Sequence, residues 1–162
     1  DVNELVRESL RLMHEQFERH HVAILTQFAL DLPAVPAHKG QLQEVVINLM
    51  QNSIDAMETV EKTRFLRIQT ERRGQGAIGI SIQDSGKGID ARMIDTIFDA
   101  FVTTKAKGKG LGLAISKMII DRHEGQLTAS SAGAENGGAI FQITLPTKLE
   151  REPIPEVSRS EP

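Results

Sequence analysis

At 162 residues the chain is sized for one domain with short appendages, and its 40% hydrophobic content supports a real core. A net charge of −3 gives no global attraction to nucleic acid or an anionic membrane, and with no cysteine there is neither a disulfide framework nor a thiolate metal site. No apolar run approaches the ~20 residues that span a bilayer, and no signal peptide is visible. The chain opens on Asp1 instead of Met, so it reads as a piece of a longer protein.

Taken in order, "NELVRESLRLMHEQFERHH" has the rhythm of an amphipathic helix, with Leu5, Leu10, Leu12, Met13 and Phe17 as core candidates. "VAILTQFAL" reads as a strand and "DLPAVPAHKG" as a two-proline connector. "QLQEVVINLMQNSIDAM" is the clearest helix: Leu42, Val45, Val46, Leu49, Met50, Ile54 and Met57 recur at helical spacing. "FLRIQTE" and "AIGISIQD", joined by "RRGQG", predict a hairpin. A glycine-bearing turn follows, then a short helical piece around "ARMIDTIF", a lysine- and glycine-rich loop, and a second long helix over about 111–123 stopped at Gly125. "GQLTASSA" and "GGAIFQITLP" read as a closing strand pair. The charged, proline-rich end, 147–162, reads as a disordered tail. Hairpins argue against a purely parallel sheet, so the pattern predicts an α/β two-layer sandwich with helices on one face.

Three groups of residues could carry chemistry. Glu44, Asn48, Asn52 and Asp55 share one stripe of the clear helix, opposite its apolar face. Such a stripe is ordinarily a solvated face. Yet asparagine is a mediocre helix former, and carboxamide and carboxylate oxygens are the hard ligands that suit Mg²⁺ beside phosphates. Second, "DSGKG" follows a strand directly. It is either a plain turn or a base site, in which Asp84 accepts from an exocyclic amine while Gly86 and Gly88 let a ring lie against backbone. "GKGIDA" also fits a dinucleotide fingerprint formally, but the ribose-binding acid and the immediate long helix are missing. Third, "TTKAKGKGLGLAI" (103–115) is no Walker loop. Thr103, Thr104, Lys105, Lys107 and Lys109, with Gly108, Gly110 and Gly112 at a helix entry, suit a phosphate chain. The five histidines form no catalytic or zinc-ligand spacing.

In this order the segments resemble the catalytic ATP-binding domain of two-component sensor histidine kinases, within the Bergerat-fold ATPases. "QLQEVVINLMQNSIDAM" is similar to the N box, "DSGKGI" to the first G box, "IFDAFVTTK" to the F box and "GKGLGLAISKMIIDRHEGQL" to the second G box and its helix. The likeness covers roughly 22–146. It implies a mixed, mostly antiparallel sheet of about five strands on about three helices, with a mobile ATP lid, preceded by a linker helix at 1–21. It implies ATP and Mg²⁺ as cofactors, with Asn48 and Asn52 at the metal and phosphates and Glu44 orienting or polarising the attacking group, or positioning the metal's water. Asp84 would recognise adenine, with Gly86, Gly88 and Ile89 beside the ring. Phe98 and Phe101 would pin the lid that begins at Thr103 and Thr104. Gly108, Lys109, Gly110, Leu111, Gly112 and Leu113 would receive the phosphates, and Lys105 would reach the β- or γ-phosphate.

Two residues depart from the pattern: Ala100 replaces the usual F-box proline, and Asp55 stands where many of these kinases carry a basic or aromatic residue. The implied activity is transfer of the ATP γ-phosphoryl to a histidine on a separate dimerisation hairpin, then to a response-regulator receiver domain. The sequence "HEQFERHH" lacks the basic residue and proline of an acceptor segment, so the acceptor is expected upstream of Asp1 and not at His14. The fragment is expected to be a cytoplasmic monomer from a homodimeric parent, without nucleic-acid or direct membrane contact, any membrane anchor lying elsewhere in the parent. The alternatives are an ATP-gated conformational module or ATPase of the same superfamily, or a serine kinase of the anti-sigma type.

Overall fold

The computed structural model describes residues 1–103, 110–133 and 137–147. The elements run α1 (Val2–Arg19), β1 (Val22–Phe28), α2 (Lys39–Met57), β2 (Arg64–Arg73), β3 (Ala77–Asp84), α3 (Gly112–Arg122), β4 (Gln126–Ser131) and β5 (Ala139–Pro146). The strands form one sheet in the order β1-β2-β3-β5-β4. β1 runs parallel to β2, in register from Val22 opposite Arg64, and every other pairing is antiparallel. This is the mixed, mostly antiparallel sheet on three helices that the resemblance implies.

Side-chain caps start α1 and α2. The Asp1 carboxylate accepts from the Glu4 N–H at 3.1 Å and caps α1, with Glu4 in its first turn and Arg19 in its last complementing the helix dipole. The His38 ring accepts from the Gln41 N–H at the start of α2. α1 buries Val2, Leu5, Val6, Ser9, Met13 and Phe17, a stripe at three- and four-residue spacing that packs on α2 and β1. Leu12 was expected inside this core and is 65% exposed, because it points about 90° away from the centre of that stripe, just beyond its edge. All seven core positions expected of α2 are buried.

The helices cover one face, where they meet Leu66, Ile68, Ile80, Ile82, Phe141 and Ile143. The other face bears polar rungs: Gln69 donates to Gln27 across the β1–β2 pair, Arg67 to Gln83 across β2–β3, and Arg73 to Thr144 on β5. A sheet with one apolar and one wet face has the alternation expected of a two-layer sandwich. Among the described residues no helix is long and apolar enough to cross a membrane.

A buried polar knot fastens the start of α1 to the sheet. Asn3 Nδ2 donates to the Ala29 carbonyl at 2.8 Å, and Thr70 Oγ1 donates to Asn3 Oδ1 at 2.7 Å. Thr70 Oγ1 in turn accepts from the Ala29 N–H at 3.1 Å. Each of these interior groups is thereby paired, as interior polar groups must be. Near 91–98 the expected short helix is instead a succession of turns, with Met93 N–H bonding Asp90 and both Thr96 and Ile97 N–H bonding the Met93 carbonyl. Only one of these closes a full helical turn, so no regular ladder propagates.

Candidate nucleotide site

A cavity of about 730 Å³ lies between α2, the turn after β3, the stem of the loop at 101–110 and the start of α3. That volume falls within the range of sites for small ligands and cofactors. Its wall brings together Asn48, Asn52, Asp84, Gly88, Ile89, Thr103, Gly110, Leu111, Gly112 and Leu113, residues spread over more than sixty positions of the chain.

Asp84 ends β3 and is 1% exposed. Its Oδ1 accepts two backbone donors, the Gly86 N–H at 2.8 Å and the Ala139 N–H at 3.1 Å. Its Oδ2 is buried without a hydrogen-bond partner, as is the Ser53 hydroxyl on the neighbouring turn of α2. Burial raises the pKa of the carboxyl above its ordinary value of 3.8, and the bonds from Gly86 and Ala139, with the proximity of Ser53, offset only part of that shift. The bland role of the Asp84 side chain, bracing the β3–β5 end, therefore occupies one oxygen and leaves the other over.

Backbone crowding explains the glycines. A side chain at Gly86 would strike the Ala56 carbonyl at 2.7 Å, and one at Gly138 would collide with the Asp84 carbonyl. Gly88 has φ +77° and faces the Gly138 carbonyl. The turn thus packs directly on the end of α2 and on the start of β5, with bare backbone around Asp84.

At the other end, Asn48 Nδ2 donates to Ser116 Oγ at 2.9 Å, tying α2 to α3 and fixing the carboxamide. The Asn48 Oδ1 lies 2.6 Å from where a Cβ on Gly112 would stand, so a side chain there would push the carboxamide aside. Leu111 caps α3 without a side-chain hydrogen bond, leaving the first-turn N–H groups to the cavity side. The loop stem is closed by Phe101 N–H donating to the Gly110 carbonyl at 2.9 Å. A Cβ on Gly110 would meet the Phe101 backbone at 2.6 Å.

Some expected residues are not in the wall. Glu44 is exposed one turn before Asn48, and Gly86 sits behind the wall against α2. Phe98 packs half-buried on the core. Phe101 is 76% exposed with φ +68°, so it holds the loop stem through its backbone while its ring points to solvent. Thr104, Lys105, Gly108 and Lys109 lie outside the described residues, as does the tail beyond Thr147.

Conversely, Gln51, Ala56, Lys87, Met93, Ile97 and Phe141 line the cavity without a sequence signal, since a lone amide, apolar or basic residue carries no motif. Asp55 also lines it and accepts from Gln51 Nε2 at 2.8 Å. The tandem Gly137–Gly138 before β5 is a sequence signal for the close backbone approach to Asp84. Among the described residues there is no group of three His, Cys, Asp or Glu able to hold a metal ion. A cation here would therefore take carboxamide oxygens from Asn48 and Asn52 and share oxygens of its ligand, a donor set that fits Mg²⁺.

Comparison with known proteins bears on the same region. The family described as "Histidine kinase-, DNA gyrase B-, and HSP90-like ATPase" matches residues 37–149. The sensor protein TdiS of Thauera aromatica is 36% identical over 148 residues, covering 90% of this chain and 27% of TdiS. The chain thus spans about a quarter of that relative's length. Among solved structures, the nucleotide-free catalytic domain of histidine kinase ThkA superposes with a TM-score of 0.79 at 30% identity, covering 91% of this chain and 95% of that one. ThkA in complex with the response regulator TrrA matches at a TM-score of 0.76 and 27% identity, over 94% of this chain and 42% of that one.

Proposed function

Because the chain belongs to the family of histidine kinase-, DNA gyrase B- and HSP90-like ATPases, and within it is a histidine-kinase catalytic domain, we propose the following use of its cavity. ATP binds with adenine at Asp84 and its phosphates at the start of α3. The γ-phosphoryl then passes to a histidine on a separate dimerisation hairpin, and from there to a response-regulator aspartate.

The observation that carries this reading is the second oxygen of Asp84. A buried carboxylate oxygen without a donor is costly, and the exocyclic amine of adenine is a donor of suitable size and polarity. Gly88 and Ile89 would lie along the base. The uncapped N–H groups of Leu111, Gly112 and Leu113 would meet the phosphates, whose negative charge suits a helix N-terminus. Asn48 and Asn52 would hold Mg²⁺, which when bound neutralises phosphate charge. Lys105 and Lys109 would add charge from the lid, and Glu44 would orient the incoming histidine.

In the transfer, the bond from the γ-phosphorus to its bridging oxygen breaks and a phosphorus–nitrogen bond forms, leaving ADP. The chain's part is positioning and charge stabilisation. The response-regulator complex of ThkA supports the onward step. The linker role of 1–21 and a monomeric, cytoplasmic fragment of a dimeric parent belong to the same proposal.

The test is transfer of radiolabel from γ-labelled ATP to a supplied hairpin from a sensor kinase. Asn52→Ala is expected to abolish labelling while the chain stays folded. Undiminished labelling would sink the metal-site assignment. ATP binding without any labelling by the wild type would instead favour an ATP-gated conformational module.

A further inference from the structure

Lys87 is the one residue of 86–88 with a side chain, and it lines the cavity. Its neighbours leave it little freedom. Gly86 is pressed on the Ala56 carbonyl, and Gly88 against Gly138. The Lys87 N–H donates to that same Ala56 carbonyl at 3.2 Å. Its Cα is therefore held beside the last turn of α2, on the same turn of chain as Asp84. Ala56 also lines the cavity there and carries only a methyl group, so the wall is low at this end.

The other charged residues described in the wall are acids: Asp55, Asp84 and Asp90. A lysine rooted at such a rim has the reach to lay its four-carbon stem and ammonium over a flat ligand in the cavity while the ammonium stays partly hydrated. Lys87 and Asp84 stand beside Ala56, whereas Asn48, bonded to α3, lies two turns or about 12 Å back along α2.

We infer that Lys87 is a nucleoside-recognition residue, which lies over the purine face left open by Ala56 and holds it by stem packing and a cation–π contact. This rests on the nucleotide reading above and adds a contact to it. An ammonium over an aromatic face at a partly exposed site makes a modest contribution, so the expected effect is about three- to tenfold in Kd. The contact is with the base, so the effect is the same for ATP, ADP and AMP.

The experiment is calorimetric titration of the full chain with these three nucleotides. Lys87→Ala is expected to weaken all three by one common factor. Lys87→Met, which keeps the stem, is expected to be intermediate, and Lys87→Arg close to wild type. Unchanged affinity in Lys87→Ala overturns the inference. So does a loss that grows with the number of phosphates, which would assign the ammonium to the phosphate chain. Asp84→Asn, run alongside, separates the two levels. Weakening there with none at Lys87 removes only the lysine's role, while full affinity in Asp84→Asn removes the base-end reading and the lysine's role with it.

Discussion

Replacing Asp84 by asparagine changes one atom pair and tests the base site directly. The asparagine Oδ1 can keep both bonds from the Gly86 and Ala139 N–H groups, now at 2.8 and 3.1 Å. The Nδ2 then takes the place of the unpartnered Oδ2 and offers a donor where adenine's amine also offers one. A hydrogen bond to a charged group is worth about 1.5–3 kcal/mol, so ATP affinity is expected to fall about ten- to 150-fold. The fold is expected to lose nothing, since a desolvated charge is removed and its backbone bonds are kept. Calorimetric titration gives the first quantity, and thermal melting of the ligand-free chain at neutral pH gives the second. The reasoning is refuted if Kd is unchanged. It is equally refuted if Kd and melting temperature fall together, because Asp84 would then act only as a brace.

The same carboxyl sets a pH dependence. Its folded pKa is raised above the ordinary 3.8, so its stabilising contribution is complete below 3.8 and is lost as pH rises through the raised value. The melting temperature of Asp84→Asn relative to wild type is therefore expected to increase as pH rises through that window, and a flat difference would contradict it. Gly112→Ala is expected to push Asn48 off Ser116, since the new methyl would stand 2.6 Å from Asn48 Oδ1. Overpacking of this kind costs about 1–3 kcal/mol in denaturant unfolding, and ATP affinity is expected to fall with it. Gly40→Ala is the control. Its nearest neighbour would be the His38 ring at 3.5 Å, so stability should hold or rise by up to about 1 kcal/mol.

The parts of the molecule legible from sequence were those governed by local periodicity. The α2 stripe from Leu42 to Met57 and the β2–β3 hairpin needed only spacing and turn residues, and the two asparagines and Asp84 stood out because polar residues there needed a reason. Leu12 misled because hydrophobicity marks a core residue only when its direction on the helix agrees with the stripe. At Phe101 the sequence shows an aromatic side chain, but the positive φ that lets its backbone close the loop stem is visible only in the fold. What could not be read were approaches between distant segments. Gly138 against the Asp84 carbonyl and Asn48 against Ser116 exist only once the sheet and helices are assembled. The cavity's apolar lining, Met93, Ile97 and Phe141, follows from the fold and from nothing local.

The knot of Asn3, Ala29 and Thr70 has a mechanical consequence. Asn3 is the second residue of α1, yet its carboxamide is anchored on the far ends of β1 and β2. A pull or twist applied at Asp1 is thereby delivered to the rim of the sheet without first unwinding the helix. That anchor sits where Phe28 pairs with Thr70, at the end of the parallel β1–β2 ladder. Torque arriving at this end of the chain would travel through a welded joint, and α1 would move with the sheet as a single lever.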